Sequence, residues 1–204
     1  MLDGWARAKI DPLLDRAARP VAAAGVSANT VTLTACALGL LAAAAIAGQW
    51  YLAGLALILA SRVGDGLDGA VAKISGKTDL GGYLDIVLDF LVYGAIPVGF
   101  VLADPAANAV AGAVLLFAFY VNGASFLAYA AIAEKRKLTT AVRGQKSLFF
   151  TTGLAEATET IAVFCAFCLL PQWFAGIAYA FAAVTFYTAL SRIVLAARTF
   201  TAPP

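Results

Sequence analysis

The chain has 204 residues, of which 62% are hydrophobic and 13% are charged, and its formal net charge is +2. Soluble domains carry roughly 45–50% apolar and about 25% charged residues, so this composition argues against an ordinary soluble protein and favours a membrane protein. The weak net charge makes nucleic acid a poor candidate partner. Because the sequence contains no histidine, acid–base and metal chemistry falls on carboxylates.

Residues 1–25 predict an amphipathic helix that lies in the membrane interface. Apolar side chains such as Trp5 and Ile10 alternate there with basic side chains such as Arg7 and Lys9. A helix of this kind buries its apolar face at the lipid boundary and keeps its basic face among the headgroups. A plain cytosolic extension is the alternative.

Six apolar runs follow over residues 30–197, and each has about the 20 residues that a spanning helix needs. We expect helices because backbone polar groups in lipid must pair within their own segment or in a closed barrel, and these runs do not alternate. The runs are Thr30–Ala47, Tyr51–Ala72, Tyr83–Ala103, Ala106–Ala133, Leu148–Leu170 and Trp173–Ala197. The predicted fold is an all-α integral membrane protein, a single domain over residues 1–204 in which a six-helix transmembrane bundle follows the interfacial helix.

The basic residues indicate the orientation of this bundle. With six spans, both termini and the loops near residues 73–82 and 134–147 lie on one side. All 14 lysines and arginines lie on that side or in helix ends that approach it. The positive-inside rule assigns that side to the cytoplasm. We expect a multi-pass protein of a bacterial inner membrane, with any functional site at this end of the bundle facing the cytoplasm.

Four aspartates lie in or beside apolar sequence where the second span leads into the third: Asp65, Asp68, Asp85 and Asp89. A carboxylate is costly in lipid unless it is paired or faces water. The first two are three residues apart and the last two are four apart, so each pair shares one helix face. A short loop joins the two helices, so both faces can meet. Divalent cations with oxygen ligands, Mg²⁺ or Mn²⁺, would offset the repulsion, and Mg²⁺ usually also carries phosphate, which indicates a lipid-linked diphosphate.

Three glycines interrupt the helix beside these aspartates: Gly64, Gly66 and Gly69. Glycine lets a bulky ligand approach the backbone closely. Small residues are also common where membrane helices pack against each other. Both explanations can hold in this segment.

Other membrane proteins also use buried aspartates. A cation or proton transporter would place them near the bilayer midplane and show repeated halves, whereas these lie near one face and no internal repeat is visible. A polyprenyl transferase also binds a lipid diphosphate through Mg²⁺, but such enzymes are usually longer. An intramembrane aspartyl protease would need a dyad rather than two pairs.

The aspartates belong to a longer pattern that also includes Gly69, Ala72 and Gly81. This pattern resembles the signature of the CDP-alcohol phosphatidyltransferase family, D-x2-D-G-x2-A-R-x8-G-x3-D-x3-D. Lys73 stands where the family has arginine, which keeps the charge and loses the bidentate fork. Seven residues rather than eight separate Lys73 from Gly81.

The resemblance implies an enzyme that transfers a phosphatidyl group from a CDP-lipid, most of all CDP-diacylglycerol, to the hydroxyl of a small polar alcohol and releases CMP. It implies two Mg²⁺ or Mn²⁺ ions held by Asp65, Asp68, Asp85 and Asp89, with Asp89 also acting as the base. The donor would contact Gly69, Ala72, Lys73, Gly81, Asn29 and Thr32. Ser27 or Asn29 could instead cap the first spanning helix. Many members are homodimers, so the resemblance also implies a homodimer.

Basic residues near the fifth span are candidates for binding the acceptor. Arg143 and Lys146 could contact a phosphorylated acceptor. The basic loop that holds them could equally serve membrane topology and attract lipid headgroups. The acceptor itself stays open among glycerol 3-phosphate, an inositol compound and serine.

Two acids in the fifth span are further acceptor candidates. Glu156 and Glu159 are expected about two turns into that span, with Arg192 and Arg62 as candidate counter-charges. Acids at such a depth require a partner or a wet cavity. These side chains either line the acceptor pocket, Arg192 included, or form a structural pair.

Overall fold

The computed structural model describes residues 2–137 and 154–201, and all regular structure within these ranges is helical. In chain order the helices are α1 (Leu2–Ala23), α2 (Ala28–Ala47), α3 (Tyr51–Ser75), α4 (Asp79–Ala103), α5 (Pro105–Lys135), α6 (Ala157–Leu169) and α7 (Phe174–Phe200), with a 3₁₀ turn at Pro171–Trp173 before α7. The predicted all-α class is confirmed.

Four of the described segments are long and apolar enough to cross a membrane: α2, α4, α5 and Pro171–Phe200. Helix α3 has 25 residues but carries charged side chains through its second half, and α6 has 13 residues. The chain is a multi-pass membrane protein. Of the six predicted spans, these criteria support four.

The predicted fifth span differs from the structure before α6. Residues 154–156 are not helical, so the prediction of one continuous helix from Leu148 to Leu170 is wrong there. The backbone N–H groups of Leu154 and Ala155 donate to Thr188 Oγ1 of α7, each at 3.1 Å. Because a neighbouring side chain satisfies these amides, the backbone can leave helical geometry inside the bundle. Residues 148–153 lie outside the described part of the chain.

An aromatic cluster packs one end of the bundle. The Phe100 ring of α4 stacks on Phe174 at 4.9 Å between centroids and meets Phe167 edge-on at 5.4 Å. Tyr51, at the start of α3, also stacks with Phe100, at 5.7 Å between centroids. Fifteen residues of α4 separate this cluster from Asp85, or about 22 Å of helix. The polar residues of α3 and α4 therefore lie at the opposite end.

Helix α1 is present where the sequence predicts it and packs against α3. Ala18 is fully buried against Ala70 and Val71, with Leu14 beside them. Leu13 on the outer side of α1 is 64% exposed, which suits a helix with one face in lipid. The position of α1 in the membrane interface stays a prediction.

Candidate active site

The aspartates meet because a short turn, residues 76–78, joins α3 to α4. Gly76 ends α3 with φ of +100°, a conformation that only glycine adopts without steric cost. The Thr78 hydroxyl then caps α4 by accepting the Gly81 backbone N–H at 3.0 Å. Helix α2 packs against both α3 and α4, and across this arrangement the carboxylates of Asp65 and Asp68 face that of Asp85, as predicted.

Asp65, Asp68 and Asp85 form a group of three carboxylates. One oxygen from each lies within 4.8 Å of the other two. Asp68 is 5% exposed, and its Oδ2 accepts the Thr32 hydroxyl at 2.6 Å. Three carboxylates this close, offering oxygen ligands alone, fit a hard divalent cation such as Mg²⁺ or Mn²⁺.

The fourth aspartate, Asp89, is paired with an arginine. Arg62 Nη1 lies 2.6 Å from Asp89 Oδ1 and 3.6 Å from Asp65 Oδ2. Arg62 Nη2 donates to Ser61 Oγ at 3.1 Å. The expected set of four metal ligands is thus divided into a group of three and an aspartate–arginine pair. Arg62 is a candidate counter-charge for the glutamates of the fifth span in the sequence analysis, but in the structure it forms ion pairs with Asp65 and Asp89 instead.

The pairing of Arg62 with Asp89 joins two helices and is not readable from residue spacing. The sequence does carry a signal for it, because an arginine one turn before Asp65 in an apolar helix needs an acidic partner. Ser61 is another site residue of this kind. It is fully buried, and its hydroxyl donates to the backbone oxygen of Ala35 at 2.8 Å.

Residues predicted to contact the donor nucleotide lie at the same end of the bundle. Asn29 at the start of α2 is next to Gly81, since a Cβ added to Gly81 would lie 3.1 Å from Asn29 Oδ1. Ser27 caps α2 by accepting the Thr30 backbone N–H at 3.1 Å. Asn29 is therefore not the residue that caps this helix.

Two of the predicted donor residues have protein partners. Lys73 Nζ lies 3.2 Å from Asp15 Oδ1 of α1, and both side chains are about half exposed. The resemblance places Thr32 at the nucleotide, but its hydroxyl donates to Asp68. Ala72 is partly buried next to Lys73. The structure thus connects α1 and α2 to the carboxylate helices.

The three glycines of α3 have different surroundings. A Cβ added to Gly64 would lie 2.9 Å from the Ala35 Cβ of α2, and one added to Gly66 would lie 2.7 Å from a methyl carbon of Leu14. A Cβ on Gly69 would meet nothing within 4 Å among the described atoms. Helix packing therefore accounts for Gly64 and Gly66, whereas the backbone at Gly69 is open to a ligand.

Among the predicted acceptor residues, Arg192 is held firmly by α5. Its Nη1 donates to the backbone oxygen of Asn122 at 3.0 Å, to Asn122 Oδ1 at 2.9 Å and to Ser125 Oγ at 2.7 Å. Arg143 and Lys146 lie outside the described part of the chain. The structure therefore locates one of the three predicted acceptor cations.

The two glutamates lie at the start of α6, not two turns inside a helix as predicted. Glu156 precedes the first helical residue, and Glu159 lies in the first turn. Glu156 interacts electrostatically with Arg192. Glu159 Oε2 is buried and has no hydrogen-bond partner among the described residues. The break before α6 thus places both acids where the chain enters the helix.

Comparison with known sequences identifies related proteins. The profile of the CDP-alcohol phosphatidyltransferase family matches residues 25–195. The inner membrane protein YnjF of Escherichia coli K12 is 46% identical over 193 residues, which are 95% of this chain and 94% of YnjF. An archaetidylinositol phosphate synthase of Methanothermobacter thermautotrophicus is 41% identical over 91 residues, 44% of this chain and 43% of that protein.

A solved structure shares the fold. The crystal structure of Mycobacterium tuberculosis phosphatidylinositol phosphate synthase with CDP-DAG bound matches with a TM-score of 0.71. The match covers 90% of this chain and 92% of that one at 18% sequence identity. At this identity the likeness establishes a common helical architecture.

Proposed function

Because the chain belongs to the CDP-alcohol phosphatidyltransferase family, we propose that it transfers a phosphatidyl group from CDP-diacylglycerol to the hydroxyl of a small polar alcohol and releases CMP. Membership indicates an enzyme with activity of this type. The observation that carries the proposal is the group Asp65, Asp68 and Asp85 next to Asp89. Family membership also favours this reaction over a transporter, a polyprenyl transferase or a protease.

We propose that α3 and the segment that contains α6 are the two remaining spans. Helix α3 extends about 37 Å at 1.5 Å per residue, which is long enough to cross a bilayer. Its charged residues Arg62, Asp65 and Asp68 contact other polar side chains of the bundle, which lowers the cost of placing them within a membrane. Six spans place the basic residues, and with them the active site, on the cytoplasmic side. The homodimer remains part of this proposal.

The three-carboxylate group would hold Mg²⁺ or Mn²⁺. Such an ion would offset the negative charge of the donor diphosphate and of the departing CMP. The nucleotide would lie along Gly69, Ala72, Lys73 and Gly81, with Asn29 next to it. The open backbone at Gly69 supports this placement.

An apolar groove beside the carboxylates suits the lipid part of the donor. It has a volume of about 280 Å³ between α2 and α3. Its lining residues are Val26, Thr30, Val31, Thr34, Ala35, Leu38, Gly64 and Leu67. Ala35 also lines the small cavity at Asp65 and Asp89. An acyl chain in the groove would therefore be continuous with a diphosphate at the aspartates.

Asp89 is proposed as the general base. The acceptor oxygen forms a bond to the β-phosphorus of the donor while the bond from that phosphorus to the bridging oxygen breaks and CMP leaves. The hydroxyl proton passes to Asp89. A carboxylate has two oxygens, so Asp89 can keep its contact with Arg62 through Oδ1 while the other oxygen takes the proton.

The acceptor is proposed to lie near Arg192, with Glu156 and Glu159 in the lining and Arg143 and Lys146 as further cations. Contacts with α5 restrain the guanidinium of Arg192. A restrained cation favours a phosphorylated acceptor because arginine matches phosphate geometry. An acceptor hydroxyl could hydrogen-bond the buried Glu159 Oε2.

CMP release from CDP-diacylglycerol by the purified protein in detergent tests this function. Assays run with and without Mg²⁺ or Mn²⁺, and with glycerol 3-phosphate, inositol, an inositol phosphate or serine. We expect CMP that requires both the metal and one acceptor, with the phosphorylated acceptors preferred. A folded protein that binds Mn²⁺ but releases no CMP with any acceptor would contradict the donor assignment, and ion flux in proteoliposomes would then support a transporter.

The glycines of α3 provide a matched pair of substitutions. Gly64→Ala should lower the melting temperature in detergent, because its Cβ meets Ala35 at 2.9 Å and overpacking costs about 1–3 kcal/mol. Gly69→Ala should not lower it, since alanine favours a helix by about 1 kcal/mol and the Cβ meets nothing. Gly69→Ala should instead raise the KM for the CDP-lipid. An unchanged KM in Gly69→Ala would remove this residue from the donor site.

A further inference from the structure

We infer that Arg62 is a positioning residue of the transfer reaction, which fixes Asp89 and neutralises it before the donor binds. The resemblance implies instead that two metal ions held by the four aspartates would offset the charge of Asp89. The positioning role rests on the proposed function of Asp89 as the base. The neutralising role can be measured without catalysis.

Groups of α3 and α4 hold the Arg62 guanidinium in place, and one of them is anchored to α2. On α3 it donates to Ser61 Oγ at 3.1 Å, and Ser61 is itself anchored to the Ala35 backbone oxygen of α2. On α4 it contacts Asp89 at 2.6 Å and lies 5.5 Å from the centre of the Tyr93 ring. Its side chain is 10% exposed. A guanidinium restrained on several sides loses little freedom when it orients a carboxylate.

The charges explain why the cluster needs this arginine. The Asp65 and Asp89 carboxyl groups interact with each other, and their side chains are 30% and 29% exposed. Two carboxylates so close repel unless a cation lies between them. Arg62 Nη1 contacts Asp89 and lies within 4 Å of Asp65. Because arginine stays protonated at all working pH values, this compensation does not depend on metal concentration.

The same contacts oppose a metal ion on Asp89. A divalent cation there would have to displace the guanidinium from Asp89 or bind against it, and like charges a few ångströms apart repel strongly in a partly buried site. The donor-free chain therefore holds a divalent cation at Asp65, Asp68 and Asp85. Arg62 takes the place of a metal ion on Asp89.

Equilibrium dialysis with Mn²⁺ tests the assignment on the purified, donor-free protein in detergent. The native chain should bind one Mn²⁺ per chain. Arg62→Met should bind a second ion, or bind the first at least about tenfold more tightly, because a positive charge has left the cluster. Arg62→Lys keeps the charge and should bind as the native chain does. Arg19→Met, an exposed arginine on α1, is the matched control and should also bind one ion.

Kinetics separate positioning from a merely structural role. In Arg62→Met, kcat for CMP release should fall by about 100-fold or more, as expected when a general base is no longer fixed, while the donor KM changes much less. Arg62→Lys should recover part of the lost kcat. Stronger Mn²⁺ binding together with slower turnover is a combination that loss of structure would not produce.

Several results would overturn the inference. Two Mn²⁺ ions on the native chain would do so whether or not any variant folds. The inference would also fail if the Arg62→Met protein elutes as a folded protein and either its Mn²⁺ binding or its kcat equals that of the native chain. Absence of CMP release from the native chain would contradict the proposed function, and the Mn²⁺ counts would still decide the role of Arg62.

Discussion

Asp89→Asn is expected to release CMP about 1,000-fold more slowly than the native enzyme, because a positioned general base contributes about 10²–10⁴-fold. Asparagine keeps the shape of the side chain and an oxygen that can accept from Arg62, so the protein should fold. The amide cannot take the proton of the acceptor hydroxyl. Steady-state CMP release with saturating donor and acceptor measures the loss, and it should appear in kcat with little change in the donor KM.

The matched control for this substitution is Asp79→Asn on the same helix. Asp79 is exposed in the first turn of α4 and does not belong to the three-carboxylate group. The kcat of the Asp79→Asn variant should stay close to the native value. Asp89→Asn should still bind one Mn²⁺ through Asp65, Asp68 and Asp85, but more weakly, because the charge of Arg62 near Asp65 is then no longer offset by Asp89. If Asp89→Asn keeps most of the native turnover, another group must accept the proton.

Asp68→Asn is expected to weaken Mn²⁺ binding by more than about 100-fold, because loss of a group that merely orients a ligand already costs about 10–100-fold. Asp68 is the most buried member of the three-carboxylate group. Asparagine can still accept the Thr32 hydroxyl, so helix packing should persist. CMP release should disappear with the metal. Equilibrium dialysis with Mn²⁺ measures the first effect, and the CMP assay measures the second.

Two further variants show whether this loss is specific. Thr32→Val removes the hydrogen bond to Asp68 Oδ2 and should weaken Mn²⁺ binding by about tenfold, as expected of a group that orients a ligand. Asp104→Asn at the other end of α4 should change nothing, since Asp104 caps α5 through the Ala107 N–H and asparagine caps equally well. Native Mn²⁺ affinity in Asp68→Asn would place the metal on other ligands.

The sequence by itself determined the class of the protein and the residues of its carboxylate site. Composition and the long apolar runs predict a helical membrane protein, and four of those runs correspond to helices able to cross a bilayer. The spacing of Asp65 with Asp68, and of Asp85 with Asp89, predicts two facing pairs on neighbouring helices. Hydropathy and helical periodicity are local properties, and a turn of residues 76–78 is so short that the end of α3 and the start of α4 stay close together. These inferences therefore needed no knowledge of the tertiary structure, although α2 is the helix that packs against both.

The tertiary structure alone decided which groups contact one another across helices. It joins Asp89 to Arg62, joins Asp68 to Thr32, and assigns Gly64 and Gly66 to packing while Gly69 stays open. It also shows that residues 154–156 of the predicted fifth helix are not helical, because the Thr188 hydroxyl accepts the backbone N–H groups of Leu154 and Ala155. Such contacts depend on the rotation and tilt of each helix relative to its neighbours. Packing of the whole bundle sets those angles, and residue spacing along one helix does not contain them.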